Sequence, residues 1–192
     1  RYYLRKEVTT MANLRRQPAT FAGGTSQVHS TPFPHSPGDR GWDSSGNEYV
    51  YCTFGTQVYG GLLGFISRDG TFTFTAYALA DYGNVGVAIA EGTSDQAGWV
   101  QIGGYTAGYV QAVGGSSLGT SSGRALRATS VSTPATGLLT VSTGTSLDSD
   151  QIYGMWLTQL TSTGTTSATS ATGLRTRVFM DHPYIRQPDS TS

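Results

Sequence analysis

The stretch VGVAIAEGTSDQAGWVQIGG, residues 85–104, decides the fold class. Val85, Val87 and Ile89 fall on one side of an extended chain, with Gly86, Ala88 and Ala90 on the other. A polar loop follows, and Trp99-Val100-Gln101-Ile102 alternates again. Two period-2 segments around a turn rich in Gly, Ser and Asp predict a β-hairpin. Apolar residues on both of its faces predict a central position in the sheet rather than an edge. The loop Glu91–Gly98 carries Glu91 and Asp95 on an otherwise weakly charged body, which suits it to a neighbour's arginines.

Working outward, Glu48–Phe54 alternates in the same way. Tyr49, Tyr51 and Thr53 share one face; Val50, Cys52 and Phe54 share the other. Leu62–Ile66 and Thr71–Thr75 flank an Asp69-Gly70 turn signal. Residues 77–82 suggest a short helical turn, and 105–113 a further strand. Residues 152–160 read as a strand, with a short helix as the alternative, and Leu174–Met180 as the last strand. Short strands separated by Gly-rich turns predict an all-β fold, a small antiparallel β-barrel or sandwich, with a jelly-roll-like arrangement as the variant.

Composition supports that class. Charged residues are 12% of the 192, about half the usual share. Gly, Ser and Thr are abundant, which disfavours long helices. The chain divides into an extended basic, Pro-rich arm over 1–46, one β-rich domain over 47–187 and a tail over 188–192. Low-complexity Gly/Ser/Thr loops fall at about 114–146 and 161–173. The arm has Pro18, Pro32, Pro34 and Pro37 and few large aliphatics, so it has to be ordered by what it lies on. Met11-Ala12-Asn13 reads like a translation start inside it. Residues 1–16 hold five basic residues against Glu7, net +4; the whole chain is neutral, so the rest carries −4. A basic arm on a slightly acidic body suits docking to a partner. No secretory leader or apolar run of spanning length is recognised, which points to assembly in a cytoplasm.

Motifs that carry chemistry are weak. Gly119-Thr120-Ser121-Ser122-Gly123 fits a nucleophile-elbow pattern but lies in a Gly/Ser tract, without the strand and helix that hold such a serine. His29, His35 and His182 have no metal-ligand spacing. Asp148-Ser149-Asp150 lacks the later glycine and glutamate of a calcium loop. Glu48, Asp81, Glu91 and Asp95 are too dispersed to name a general acid and base. Cys52 fits a small buried core residue. Tyr49, Tyr51, Tyr59, Trp99, Tyr105 and Tyr109 suit a stacking face for sugars or bases, or else packing between sheets. Too few basic residues interleave with them for nucleic-acid binding. The expectation is a protein that is not an enzyme and uses no cofactor or metal.

Three segments carry a resemblance. Gly46-Asn47-Glu48-Tyr49-Val50-Tyr51 opens the first strong strand. Val85-Gly86-Val87-Ala88 leads into Gly98-Trp99-Val100-Gln101-Ile102-Gly103-Gly104. Arg177-Val178-Phe179-Met180 with Pro183-Tyr184-Ile185 closes the chain. Over about 46–112 and 150–187 the chain resembles small β-rich capsid decoration, or cement, proteins of tailed bacteriophages. The resemblance implies a structural virion protein on the outer capsid surface that bridges capsomers of the major capsid protein and stabilises the DNA-filled head. It implies further copies of itself, as dimer or trimer, and no direct contact with nucleic acid or membrane. Arg5, Lys6, Arg15, Arg16, Trp42, Glu91 and Asp95 are the expected capsid contacts. A phage fibre or receptor-binding module that recognises glycans is the alternative.

Overall fold

The computed structural model describes residues 24, 26–67, 69–76, 83–106, 110–112, 126–130, 136–141, 151–161 and 174–185. All regular structure among them is β. Twelve strands join in one hydrogen-bonded network. They are β1 (Val28–His29), β2 (Arg40–Trp42), β3 (Glu48–Phe54), β4 (Leu63–Ile66), β5 (Thr73–Ala76) and β6 (Gly83–Ala88). Then follow β7 (Ala97–Tyr105), β8 (Val110–Ala112), β9 (Leu126–Ser130), β10 (Thr136–Val141), β11 (Gln151–Thr161) and β12 (Leu174–Ile185). Two pairings, β3 with β5 and β8 with β10, are parallel, so the sheet is mixed rather than the purely antiparallel barrel of one expectation.

The hairpin at 85–104 is present as β6 and β7, and β7 is the spine of the fold. One edge pairs with β3 from Thr53↔Ala97 to Glu48↔Gly103. The other edge is shared by three strands in succession. Its start pairs with β1, its middle with β6 and its end with β12. A strand paired on both edges and covered on both faces can hold polar atoms only if they are satisfied internally. Gln101 meets this condition: it is fully buried, and its Nε2 donates to the carbonyls of Gly103 (3.0 Å) and Tyr105 (2.8 Å).

Alternation along these strands sorts the apolar residues into layers. Val50, Cys52, Phe54, Val100 and Ile102 point to a core shared with Ile66, Phe74 and Ala88. From the opposite faces of β3 and β7, Tyr49, Tyr51, Ala97 and Trp99 point to a second core, closed by Phe33 and Ile89. The other faces of β4 and β6 supply Leu63, Phe65, Val85 and Val87 to a third core with Leu126, Ile152, Met155, Val178, Met180 and Ile185. This is layered, sandwich-like packing. Ile89 departs from its expected side: the chain bends after Ala88, and Ile89 packs in the second core rather than with Val85 and Val87.

The described part of the N-terminal segment lies along the sheet. Val28 and His29 pair with Gly98 and Ala97, and Arg40–Trp42 pairs with Glu48–Val50. The expected strand over 105–113 divides, with Tyr105 ending β7 and residues 110–112 forming β8. Residues 152–160 lie within β11, and the last strand runs on to Ile185. The helical turn expected at 77–82 lies outside the described residues.

Candidate functional site

The outward face of β7, β12 and β11 carries a run of aromatic rings. Register aligns Tyr105 with Phe179 and Phe179 with Trp156 across the three strands. Ring centroids are 5.0 Å apart for Tyr105 and Phe179, edge to face, and 5.8 Å for Phe179 and Trp156. Their sequence neighbours Met155, Val178 and Met180 point inward to the third core. Strand alternation therefore forces Trp156 and Phe179 outward. Tyr105 is 61% exposed and Trp156 46%. Thr106 holds Tyr105 in place: its N–H donates to the Val178 carbonyl (2.9 Å), and its Oγ1 accepts from the Val178 N–H (3.1 Å).

A bulge extends this face. Gly154 takes φ +72°, and a Cβ there would lie 2.5 Å from the Asp181 carbonyl oxygen. The register between β11 and β12 shifts at this point, between Tyr153 and Met155. Ile152 and Met155, three residues apart, both reach the core as a result. Tyr153 and Trp156 are thus both left outside. Tyr153 stacks on Tyr184 at 5.3 Å and 19°, and Tyr184 is 42% exposed. Such rings are apolar bodies with, in the tyrosines, a hydrogen-bonding tip. This combination is enriched at protein interfaces, and contiguous apolar patches on a protein surface mark sites of association.

A second constellation lies around Glu48. Arg40 Nη1 donates to Glu48 Oε1 at 2.6 Å, and His182 Nε2 is 3.0 Å from Glu48 Oε2. Beside it is a cavity of about 90 Å³ lined by Arg40, Val50, Ile66, Phe72, His182 and Pro183 among others. That is smaller than the roughly 150 Å³ which takes a benzene ring. Glu48 already engages both basic groups, so the arrangement acts as a clamp between strands rather than a receptor for an anion.

The expected contact residues scatter. Arg5, Lys6, Arg15 and Arg16 lie outside the described residues. Trp42 is 44% exposed on β2. Glu91 and Asp95 are exposed on the loop between β6 and β7. Asp95 there adopts φ +68°, and the Gln96 side chain accepts from the Thr93 N–H at 2.8 Å. The expected stacking face is corrected: Tyr49, Tyr51 and Trp99 are 1%, 0% and 0% exposed, because the N-terminal segment covers them. Only Tyr105 of that set presents its ring on the surface now described; Tyr59 is partly buried, and Tyr109 lies outside the described residues. Ser121, Asp148 and Asp150 also lie outside them. Among the described residues, no three His, Cys, Asp or Glu side chains converge for a metal. Cys52 is fully buried, and burial pushes its thiol pKa up.

Sequence reading missed Trp156, Phe179, Tyr153 and Tyr184. Strict alternation through β11 groups Tyr153 with Met155 and hides the outward pairing with Trp156. The available signal was Gly154, since glycine inside a strand pattern marks a bulge. No family model, curated protein or solved structure matches the chain.

Proposed function

We propose that the chain is a structural virion protein, a decoration protein that binds the outer surface of a tailed-phage capsid and bridges capsomers. The observation that carries this reading is the outward aromatic face of Tyr105, Phe179, Trp156 and Tyr184, held on a rigid three-strand platform. The resemblance of the strand segments supplies the partner, the major capsid protein, and further copies of the chain.

Magnitudes shape the mechanism. Fully burying a large apolar side chain contributes about 1.5–3 kcal/mol, and these rings are already about half buried, so the four give roughly 3–6 kcal/mol. Losing free motion on association costs about 4–15 kcal/mol. One face of this size is therefore a weak binder by itself. Contacts from the basic arm, and repetition over the shell, make many such faces add up. Each bound copy stabilises the closed shell by mass action, because its site is lost when the shell opens.

Co-sedimentation with expanded, DNA-free shells of the encoding phage tests the proposal. Saturation at a fixed number of copies per capsomer is the expected result. A chain that stays in the supernatant at saturating concentration contradicts it. Binding to a glycan array without binding to shells transfers the same aromatic face to a receptor-binding role.

A further inference from the structure

Residues 27–39 hold two histidines against one buried tyrosine. The Tyr51 hydroxyl and His29 Nδ1 are 3.0 Å apart. The His35 ring packs edge to face on Tyr51 at 5.2 Å and on Trp99 at 5.0 Å, and Phe33 meets Tyr51 at 6.4 Å. His35 Nε2 is buried and has no hydrogen-bond partner among the described residues. The backbone is joined to β3 by two bonds, Gly38 N–H to the Tyr51 carbonyl and Tyr51 N–H to the Asp39 carbonyl, each 2.8 Å. Two β1 residues complete the attachment on β7.

We infer that residues 27–39 are a pH-sensitive latch, docked on β3 and β7 while His35 is neutral and released when its imidazole is protonated. The segment covers the face of β7 that carries Trp99, opposite Val100 and Ile102, and its docking does not depend on the capsid reading. A proton on His35 Nε2 would place a cationic N–H where no acceptor faces it. The Tyr51 and Trp99 rings favour a cation, but less than the hydration it gives up. Tyr51 keeps its proton, since burial pushes its pKa up to about 12. Its hydroxyl therefore stays a donor beside His29 Nδ1 and ties β1 to β3.

The groups facing His35 are Asp39 on the latch, His29 on β1, Tyr51 on β3 and Trp99 on β7. Burial lowers the His35 pKa from 6.5, Asp39 opposes this, and His29 adds to the lowering. The docked state thus binds fewer protons than the released one. Docking is strongest above pH 6.5 and weakens as pH falls through 6.5 toward the lowered value. Release would uncover Tyr51 and Trp99, a fresh apolar surface.

Amide hydrogen exchange on the full chain at pH 7.5 and 5.5, corrected for intrinsic rates, tests the latch. Protection of the Gly38 and Tyr51 amides is expected to fall severalfold at the lower pH, while amides of Leu63–Ile66 hold. In His35→Gln that fall should shrink. Unchanged protection at Gly38 and Tyr51 in the native chain overturns the inference, as does an undiminished fall in the variant. If His35→Gln already releases the segment at pH 7.5, NMR titration of the native imidazole decides. A His35 midpoint below 6.5 that coincides with the amide loss supports the latch, and titration with no change in those amides overturns it.

Discussion

His182 Nε2 stands 3.0 Å from Glu48 Oε2, although their strands β12 and β3 are not paired. Strand β7 runs between them, and its Gly103 is in register with both Glu48 and Asp181. With no side chain at 103, the Glu48 carboxylate can cross over the spine. One acidic group therefore ties the strand next to the latch to the strand that carries the aromatic face.

The two adjacent glycines of β7 make a graded test. A Cβ on Gly103 would lie 3.2 Å from Glu48 Cβ, which a side chain can yield to. A Cβ on Gly104 would strike Asn47, with Asn47 Cα at 2.8 Å, and Gly104 has φ +82°. Gly104→Ala is expected to destabilise by about 2–4 kcal/mol through strain and overpacking. Gly103→Ala should cost about 1 kcal/mol or less. Urea denaturation ranks them, and equal losses contradict the geometry.

Glu48→Gln should cost only about 1 kcal/mol, because Arg40 and His182 are each at least half exposed and solvent screens them. The loss should shrink in high salt. A loss above about 3 kcal/mol would mark the clamp as a buried ion pair instead.

Asp43 organises the turn before β3. Its carboxylate accepts from the N–H groups of Ser45 (2.9 Å) and Asn47 (3.0 Å), Asn47 Nδ2 (2.7 Å) and the Tyr49 hydroxyl (2.9 Å). Burial pushes its pKa up, but these hydrogen bonds outweigh burial and hold it below 3.8. A depressed folded pKa gives stability that is present above 3.8 and lost as pH falls through the lower folded value. Asp43→Asn should cost about 1–2 kcal/mol at pH 7. The difference from the native chain should close between pH 4 and pH 2. A constant difference across that range would contradict the assignment.

Much of the fold was readable because period-2 patterning is local. Along β3 it separates Tyr49 and Tyr51 from Val50, Cys52 and Phe54 as the structure does, and it finds the β6–β7 hairpin. It cannot find β1 and β2, which are two and three residues long and have no period of their own. Nor can it see that residues 27–39 bury Tyr51 and Trp99, since that depends on where the segment returns along the sheet. The Glu48–His182 link joins residues far apart in sequence through a register that no pattern encodes. The aromatic face was illegible for a smaller reason: one bulge at Gly154 inverts the parity of β11, so Tyr153 shares its face with Trp156 rather than with Met155.

The most direct test of the aromatic face pairs two measurements on Trp156→Ala. Trp156 is 46% exposed, so its removal should change folding stability by less than about 1 kcal/mol. Binding to expanded shells, read by co-sedimentation across a concentration series, should weaken at least about tenfold, as for an aromatic at the centre of an interface. Native-like binding by a stably folded Trp156→Ala chain would contradict the assignment of β7, β12 and β11 as the contact face.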